Sequence, residues 1–174
     1  MDISPPIASL FAQRVVVSVG ALAVSNDVAK TLSTYALGSC VAVVVYDPVA
    51  KSAGLLHMML PDSGISAQKA LNQPAMFADT GLPLLFRSLL GIRAERSRLR
   101  IFVAGGASVL TSNDIFKIGE RNLRATERWL SQQGYRVHGS AVGGTISRTV
   151  HLNIGTGAIS LKTPLATEGF SLAA

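Results

Sequence analysis

Apolar residues occur in short runs separated by polar breaks, and this pattern predicts more strand than helix. The runs CVAVVVY at 40–46 and AGLLHMML at 53–60 are continuously apolar, which is typical of strands buried on both faces. Asp47-Pro48 ends the first run and Pro61 ends the second. We therefore expect two central strands joined by a short loop.

Shorter runs predict the other strands. Residues 14–24 contain two segments rich in β-branched residues, separated by Gly20, and they are expected to form two strands or a hairpin. Further strands are expected near 31–39, 98–104, 135–142, 148–153 and 158–162. The spacing between these segments leaves room for helices on both sides of residue 100.

Two helices are expected. Pro74 suits a first helical position and leads into an apolar segment, in which Gly81 and Pro83 predict an imperfect or split helix. Residues 118–133 are expected to form a second helix, with Gly134 as its C-terminal stop.

Roughly seven strands and two substantial helices predict a mixed sheet or sandwich with flanking helices, which is an α+β fold. The polar segment 62–73 is expected to be an irregular loop. We expect residues 1–163 to form a single domain and residues 164–174 to form a flexible C-terminal tail.

The composition fits a packed domain. The 174 residues are 48% hydrophobic and 15% charged, whereas globular proteins average about 25% charged residues, so a disordered chain is excluded. No apolar stretch approaches the roughly 18 residues of a membrane span, and the N-terminus lacks the pattern of a secretory signal. We expect a cytoplasmic protein with no direct membrane insertion.

The formal net charge of +6 should attract acidic partners. A nucleic-acid-binding module is one alternative, and its basic cluster would comprise Arg87, Arg93, Arg96, Arg98 and Arg100. Glu95 interrupts that cluster, aromatic residues make up only 6% of the chain, and no nucleic-acid motif occurs. We therefore expect no nucleic-acid partner and interpret the arginines as a solvated helix end.

Cys40 is the single cysteine and opens the first buried run, directly after Gly38 and Ser39. It cannot form an internal disulfide or a thiolate zinc site, and an inert buried role remains open for it. At a loop-to-strand junction, however, it can expose both its thiol and its amide N–H, and Gly38 lets the backbone approach a substrate. A nucleophile beside an oxyanion hole has these features.

His57 lies within the second buried run, among apolar neighbours. A buried imidazole must form a hydrogen bond or incur a cost of about 1 to 3 kcal/mol. If the strands carrying Cys40 and His57 are adjacent, the imidazole can lower the pKa of the thiol and later return a proton to a leaving group. A histidine with a purely structural hydrogen bond remains the alternative.

Four segments together carry a resemblance to a known family. They are the block from Thr34 to Pro61, RIFVAGGASV at 100–109, IGERN at 118–122 and the stretch 143–162. In this order they resemble the CheD family of chemoreceptor glutamine deamidases. The first block is highly specific, IGERN is moderately specific and the glycine pairs are weakly specific.

The resemblance implies a cysteine hydrolase, a protein-glutamine glutaminase, that converts glutamine side chains of methyl-accepting chemotaxis receptors to glutamate and releases ammonia. It implies a triad of Cys40, His57 and Thr34, with a thioester on Cys40. Backbone amides at 39–41 would hold the oxyanion, which makes Gly38 and Ser39 candidate substrate-binding residues. The implied fold is a layered alpha/beta sandwich of mixed, largely antiparallel strands with two main flanking helices, similar to the deamidating toxins.

The expected partners are chemoreceptor cytoplasmic domains, and the family also implies a CheC-type phosphatase partner. No metal or organic cofactor is expected, since His138 and His151 lack acidic or cysteine companions at ligand spacing. An alternative keeps the fold but makes the chain a non-catalytic or dual-role regulatory partner of the phosphatase. The segment IGERN is open to a contact with substrate or partner, or to a structural role in which Glu120 complements the helix dipole.

Overall fold

The structure, a computed structural model, describes residues 13–109 and 115–173. Its strands are β1 (Gln13–Val16), β2 (Ala21–Ser25), β3 (Lys30–Leu37), β4 (Val41–Asp47), β5 (Ser52–Met58), β6 (Arg100–Gly105), β7 (Gly139–Val142), β8 (Arg148–Asn153), β9 (Ala158–Lys162) and β10 (Thr167–Ser171). Its α-helices are α1 (Ala67–Asn72), α2 (Ala78–Leu90) and α3 (Ile118–Gln132). Short 3-10 helices occur at Ser63–Ile65, Pro74–Met76 and Arg96–Arg98.

The strands form two five-stranded sheets. The first sheet has the order β1-β3-β8-β9-β10, and the second has the order β2-β5-β4-β6-β7. The β1–β3 and β6–β7 pairs are parallel, and the other strand pairs in these two orders are antiparallel. This arrangement confirms the predicted α+β fold with mixed, largely antiparallel strands.

β4 and β5 are the central strands, as predicted, and every residue in them is buried. Ala42 and Val44 of β4 pack toward the first sheet. Val43 and Val45 pack toward α2 and α3 on the other side. The runs therefore have no polar face, because a sheet covers one side of them and helices cover the other.

The two long helices form the third layer. α2 continues through Pro83, so the prediction of a split helix was wrong. A proline inside a helix costs about 3 kcal/mol, and α2 offsets this cost by burying Leu82, Leu85 and Leu89 against the second sheet. α3 ends as predicted, with Gly134 in the left-handed region at φ 72°.

Several local predictions need correction. β1 and β2 are not a hairpin, because they join different sheets, and residues 17–20 cross between the sheets. The segment 62–73 contains α1 rather than only irregular loop. The predicted tail pairs with β9 through β10, where Phe170 contacts Phe102 and Leu172 is buried. The sequence hid this strand because Phe170 is its one apolar side chain and its other four residues are exposed.

Parts of the predicted domain and tail lie outside the described residues, namely 1–12, 110–114 and 174. Within the described ranges, no helix is both long enough and apolar enough to cross a bilayer.

Candidate active site

The three predicted triad residues lie where the chain passes from the first sheet to the second. Thr34 is on β3, His57 is on β5, and Cys40 is in the bend that precedes β4. The pairing of β3 with β8 shifts register between Thr34 and Leu37, and Ala36 has a positive φ of 56°. This bulge bends the end of β3, as bulges commonly do beside functional sites.

Thr34 and His57 are in direct contact across the two sheets. The Thr34 hydroxyl oxygen lies 2.7 Å from Nδ1 of His57 and 2.7 Å from the carbonyl oxygen of Val17. A carbonyl only accepts, so the hydroxyl donates to Val17 and Nδ1–H of His57 donates to the hydroxyl. The neutral imidazole therefore carries its proton on Nδ1, and Nε2 keeps its lone pair.

Nε2 of His57 is buried and has no hydrogen-bond partner among the described residues. Burial disfavours the imidazolium and lowers the pKa of His57 to about 4. At neutral pH the ring is uncharged, and Nε2 is a desolvated base. A group of this kind can accept a proton from a thiol or a water molecule.

Cys40 lies on the same inner face as His57. Ala42 pairs directly with His57, and Cys40 precedes Ala42 by two positions, which makes Cys40 a diagonal neighbour of the histidine. Its half-buried side chain packs at the edge of the core between the sheets. No hydrogen bond joins its sulfur to Nε2 in the described structure.

The pKa of Cys40 also differs from the sequence expectation. Burial raises the pKa of the thiol, although the backbone N–H of Cys40 itself lowers it in part. The imidazole therefore does not lower the pKa of the thiol as predicted, because burial keeps His57 neutral. The resting pair is a thiol beside a neutral imidazole.

Backbone donors at the end of β6 hold the bend at 38–40. The Gly38 carbonyl accepts from the N–H of Ala107, and the Cys40 carbonyl accepts from the N–H of Gly106. A Cβ on Gly105, whose φ is 101°, would collide with the Cys40 carbonyl oxygen. Residues 105–107 are thus packed directly against the bend, and glycine permits this close approach.

Packing explains why position 38 is a glycine, apart from any approach of a substrate. A Cβ there would lie 3.0 Å from a methyl carbon of Val109, which is tighter than ordinary packing allows without movement. Its backbone N–H donates to the carbonyl of Ala36, which completes the turn after the bulge. Glycine therefore lets the bend at 38–40 and the segment after β6 lie side by side.

Asn122, the last residue of IGERN, also contacts this site, and the sequence left its role open. It is fully buried, and its Nδ2 donates to the carbonyls of Ser39 at 3.0 Å and Met59 at 2.9 Å. In the sequence, the only indication of this role is that an amide residue lies on the apolar face of a predicted helix. The sequence does not indicate its partners, because Ser39 and Met59 are distant from it along the chain.

A surface cavity of about 600 Å³ lies away from these residues, at the opposite end of β6. Its lining comprises Glu95, Arg96, Ser97, Leu99, Gly134, Tyr135, Arg136 and His138. Arg96 is already bound by the Tyr135 hydroxyl and the Gln133 carbonyl. The described residues contain no group of three or more His, Cys, Asp or Glu side chains that could hold a metal ion.

Curated proteins of three bacteria are similar to this chain. A probable chemoreceptor glutamine deamidase of Syntrophus aciditrophicus is 44% identical over 148 residues, covering 85% of this chain and 92% of that protein. One of Solibacter usitatus is 44% identical, with coverages of 86% and 89%. The chemoreceptor glutamine deamidase of Halalkalibacterium halodurans is 41% identical, with coverages of 76% and 83%.

A crystal structure of a Neisseria meningitidis protein covers 78% of this chain and 64% of that one, with 9% identity and a TM-score of 0.46, a likeness too distant to bear on the assignment. The model of the family CheD, described as chemotactic sensory transduction, matches residues 59–163. This match includes more than half of the chain, and the curated relatives extend the similarity across the segment that carries Thr34, Cys40 and His57. The chain therefore belongs to the CheD family.

Proposed function

We propose that this chain is a chemoreceptor glutamine deamidase that hydrolyses receptor glutamine side chains to glutamate and ammonia, with Cys40 as the nucleophile. The similar curated proteins carry this activity in their names. The observation that carries the chemical proposal is the contact of Thr34 with His57, because it leaves Nε2 as a buried, unpartnered base. We further propose that the chain acts as a single deamidase domain, which includes β10.

The reaction begins with a proton transfer. Nε2 of His57 takes the thiol proton of Cys40 as the sulfur attacks the carboxamide carbon, which forms a C–S bond and a tetrahedral oxyanion. Burial disfavours a standing thiolate–imidazolium pair, so the proton moves during the attack. The side chains of Cys40 and His57 come within hydrogen-bond distance when the substrate binds, since catalytic hydrogen bonds tighten in the substrate complex.

The second half releases the products. Nε2–H gives its proton to the amide nitrogen, the C–N bond breaks, and ammonia leaves a thioester on Cys40. His57 then removes a proton from water as the oxygen attacks the thioester, the C–S bond breaks to release glutamate, and Nε2–H returns its proton to the sulfur to restore the thiol. Thr34 holds the ring in the tautomer that both steps use, and is thus a positioning residue.

The backbone of the bend is suited to bind the oxyanion. The carbonyls of Gly38 and Ser39 are bound by Ala107 and Asn122. In a trans peptide the N–H points opposite to the carbonyl. The N–H groups of Ser39 and Cys40 therefore point away from those supports, toward the side on which a substrate oxygen would lie.

The proposed substrate surface is the rim of the site. Tyr35, Met59 and Val109 are exposed apolar residues on the three segments that surround the bend. We propose that the cytoplasmic domain of a receptor docks there and that the enzyme acts in the cytoplasm. If the net charge of +6 aids this encounter, raising salt from about 50 to 500 mM will weaken receptor binding. Unchanged binding would rule out this electrostatic contribution.

The test is intact mass and site mapping of a receptor cytoplasmic fragment incubated with wild-type chain or with Cys40→Ala. Wild type should add about one mass unit per modified glutamine and release ammonia, and Cys40→Ala should do neither. Ammonia release by both proteins would reject Cys40 as the nucleophile. No modification of several receptors by wild type would instead favour a regulatory partner of a CheC-type phosphatase.

A further inference from the structure

Asn122 on α3 connects the two segments that carry the proposed nucleophile and base. One hydrogen of its Nδ2 goes to the Ser39 carbonyl and the other goes to the Met59 carbonyl. Ser39 immediately precedes Cys40, and Met59 follows His57 by two residues. A single side-chain amide thus fixes the separation of the bend from the end of β5.

The orientation of this amide follows from its partners. Both partners are carbonyl oxygens, which only accept, so the NH2 end must face them. The opposite atom, Oδ1, is buried and has no hydrogen-bond partner in the described structure. An unpaired buried acceptor costs about 1 to 3 kcal/mol, and a residue selected only for helix packing would avoid this cost.

The contact with Ser39 acts on the peptide that supplies the Cys40 N–H. Accepting a hydrogen bond at the carbonyl polarises the same peptide and strengthens its N–H as a donor. Burial raises the pKa of Cys40, and that N–H lies close enough to the sulfur to offset part of this rise. Through the peptide between Ser39 and Cys40, the hydrogen bond of Asn122 thereby affects both the proposed oxyanion donor and the nucleophile.

We infer that Asn122 is a positioning residue for deamidation, which fixes the peptide between Ser39 and Cys40 and the spacing of Cys40 from His57. This inference rests on the proposed role of Cys40. It also explains the segment IGERN: Gly119 allows α3 to lie close to residues 106–107, and Asn122 then contacts the bend. A Cβ on Gly119 would lie 2.6 Å from the Gly106 carbonyl oxygen.

Thr126 provides a matched control. It is also fully buried on α3, where its hydroxyl contacts Met58 Sδ at 3.5 Å and the Asn122 carbonyl at 2.9 Å. Its hydroxyl forms no hydrogen bond with the bend at 38–40 in the described structure. Thr126→Val keeps the side-chain shape but removes both hydrogen bonds of the hydroxyl, so it should lower stability while leaving the peptide before Cys40 in place.

The experiment compares Asn122→Leu, the milder Asn122→Ser and Thr126→Val with wild type in the full chain. It measures receptor deamidation, the free energy of unfolding, and the rate of Cys40 alkylation by iodoacetamide across pH. His57 is the titratable neighbour on β5, and the α3 charges Glu120 and Arg121 are exposed, with Glu120 paired to Arg124. The alkylation profile therefore reports mainly on Cys40 and His57.

Both Asn122 variants should lower kcat about 10- to 100-fold, the range seen for residues that orient a functional group, with little change in KM. Their alkylation profiles should move to higher pH, and Thr126→Val should retain the wild-type profile and kcat. A folded Asn122→Ser or Asn122→Leu with wild-type kcat and profile would overturn the inference, as would the same profile shift in Thr126→Val. Full deamidation by Cys40→Ala would instead reject Cys40 as the nucleophile, and no deamidation by wild type would reject the proposed function. The alkylation comparison would still test the effect of Asn122 on the bend in both cases.

Discussion

The two ends of the β4–β5 pair use buried polar residues in opposite ways. At the end where the strands connect, Asp47 is fully paired: it binds Arg98 through both carboxylate oxygens and accepts from the backbone N–H groups of Val49, Ala50 and Glu95. Burial alone would raise the pKa of Asp47, but these contacts outweigh it and lower the pKa to about 2.

At the other end, the polar groups are only partly paired. Nε2 of His57 and Oδ1 of Asn122 are buried without partners in the described structure. Burial is the largest effect there: it lowers the pKa of His57 to about 4 and raises the pKa of Cys40, which the backbone N–H of Cys40 offsets only in part. Within this strand pair, the buried side chain is fully hydrogen-bonded at the end that stabilises the fold. The buried side chains are only partly hydrogen-bonded at the end that we propose for catalysis.

The largest expected effect is that of His57→Ala on turnover. General acid–base catalysis contributes about 100- to 10,000-fold, so receptor deamidation should fall by that amount while the fold persists. Steady-state deamidation and circular dichroism of the same preparation measure both quantities. A folded His57→Ala with wild-type turnover would show that the unpaired nitrogen has no role in the reaction.

Asp47→Ala should give the opposite result, with lower stability and unchanged turnover. It removes the acceptor of several backbone N–H groups, and each buried donor left unpaired costs about 1 to 3 kcal/mol. Urea unfolding should reveal a loss of about 3 kcal/mol, and deamidation per folded molecule should match wild type. A loss of turnover in the folded fraction would mean that the two ends are coupled.

Thr34→Val keeps the side-chain shape but removes the acceptor for Nδ1–H of His57. The ring can then rotate or change tautomer, and we expect deamidation to fall about 10- to 100-fold, as for other residues that orient a histidine. Ser33→Ala is the control, because its hydroxyl contacts His151 rather than His57. Equal losses in the two variants would point to a general effect on β3.

The smallest expected effect is a pH dependence of stability. His57 binds a proton in the unfolded chain below its ordinary pKa of about 6.5, but in the folded chain only below about 4. Unfolding therefore becomes easier as pH falls from 6.5 toward 4, and His57 should account for about 2 kcal/mol of the loss between pH 7 and pH 5.

His57→Gln isolates this contribution, since the other histidines titrate in both proteins. Urea unfolding at pH 7 and pH 5 should show a smaller loss in the variant than in wild type. Equal losses would mean that His57 is not held neutral in the folded state.

Short-range patterns were enough to predict much of the fold. The apolar runs before Asp47 and Pro61 predicted β4 and β5 because strands buried on both faces cannot contain a polar side. The split of α2 was predicted wrongly because the packing of its apolar face outweighs the local cost of Pro83. Of the two alternatives for residues 14–24, the two strands form, but the hairpin does not, because pairing with distant strands rather than the local turn assigns β1 and β2 to different sheets.

The sequence by itself determined the central strands, the two long helices, the family resemblance and the candidate set of Cys40, His57 and Thr34. Only the tertiary structure decided that Thr34 donates to Val17 and accepts from His57, and that Asn122 reaches the carbonyls of Ser39 and Met59. The physical reason is that patterns of propensity and burial act over a few residues along the chain. Hydrogen-bond direction and the pKa of a buried group depend on atoms that folding brings together from distant positions.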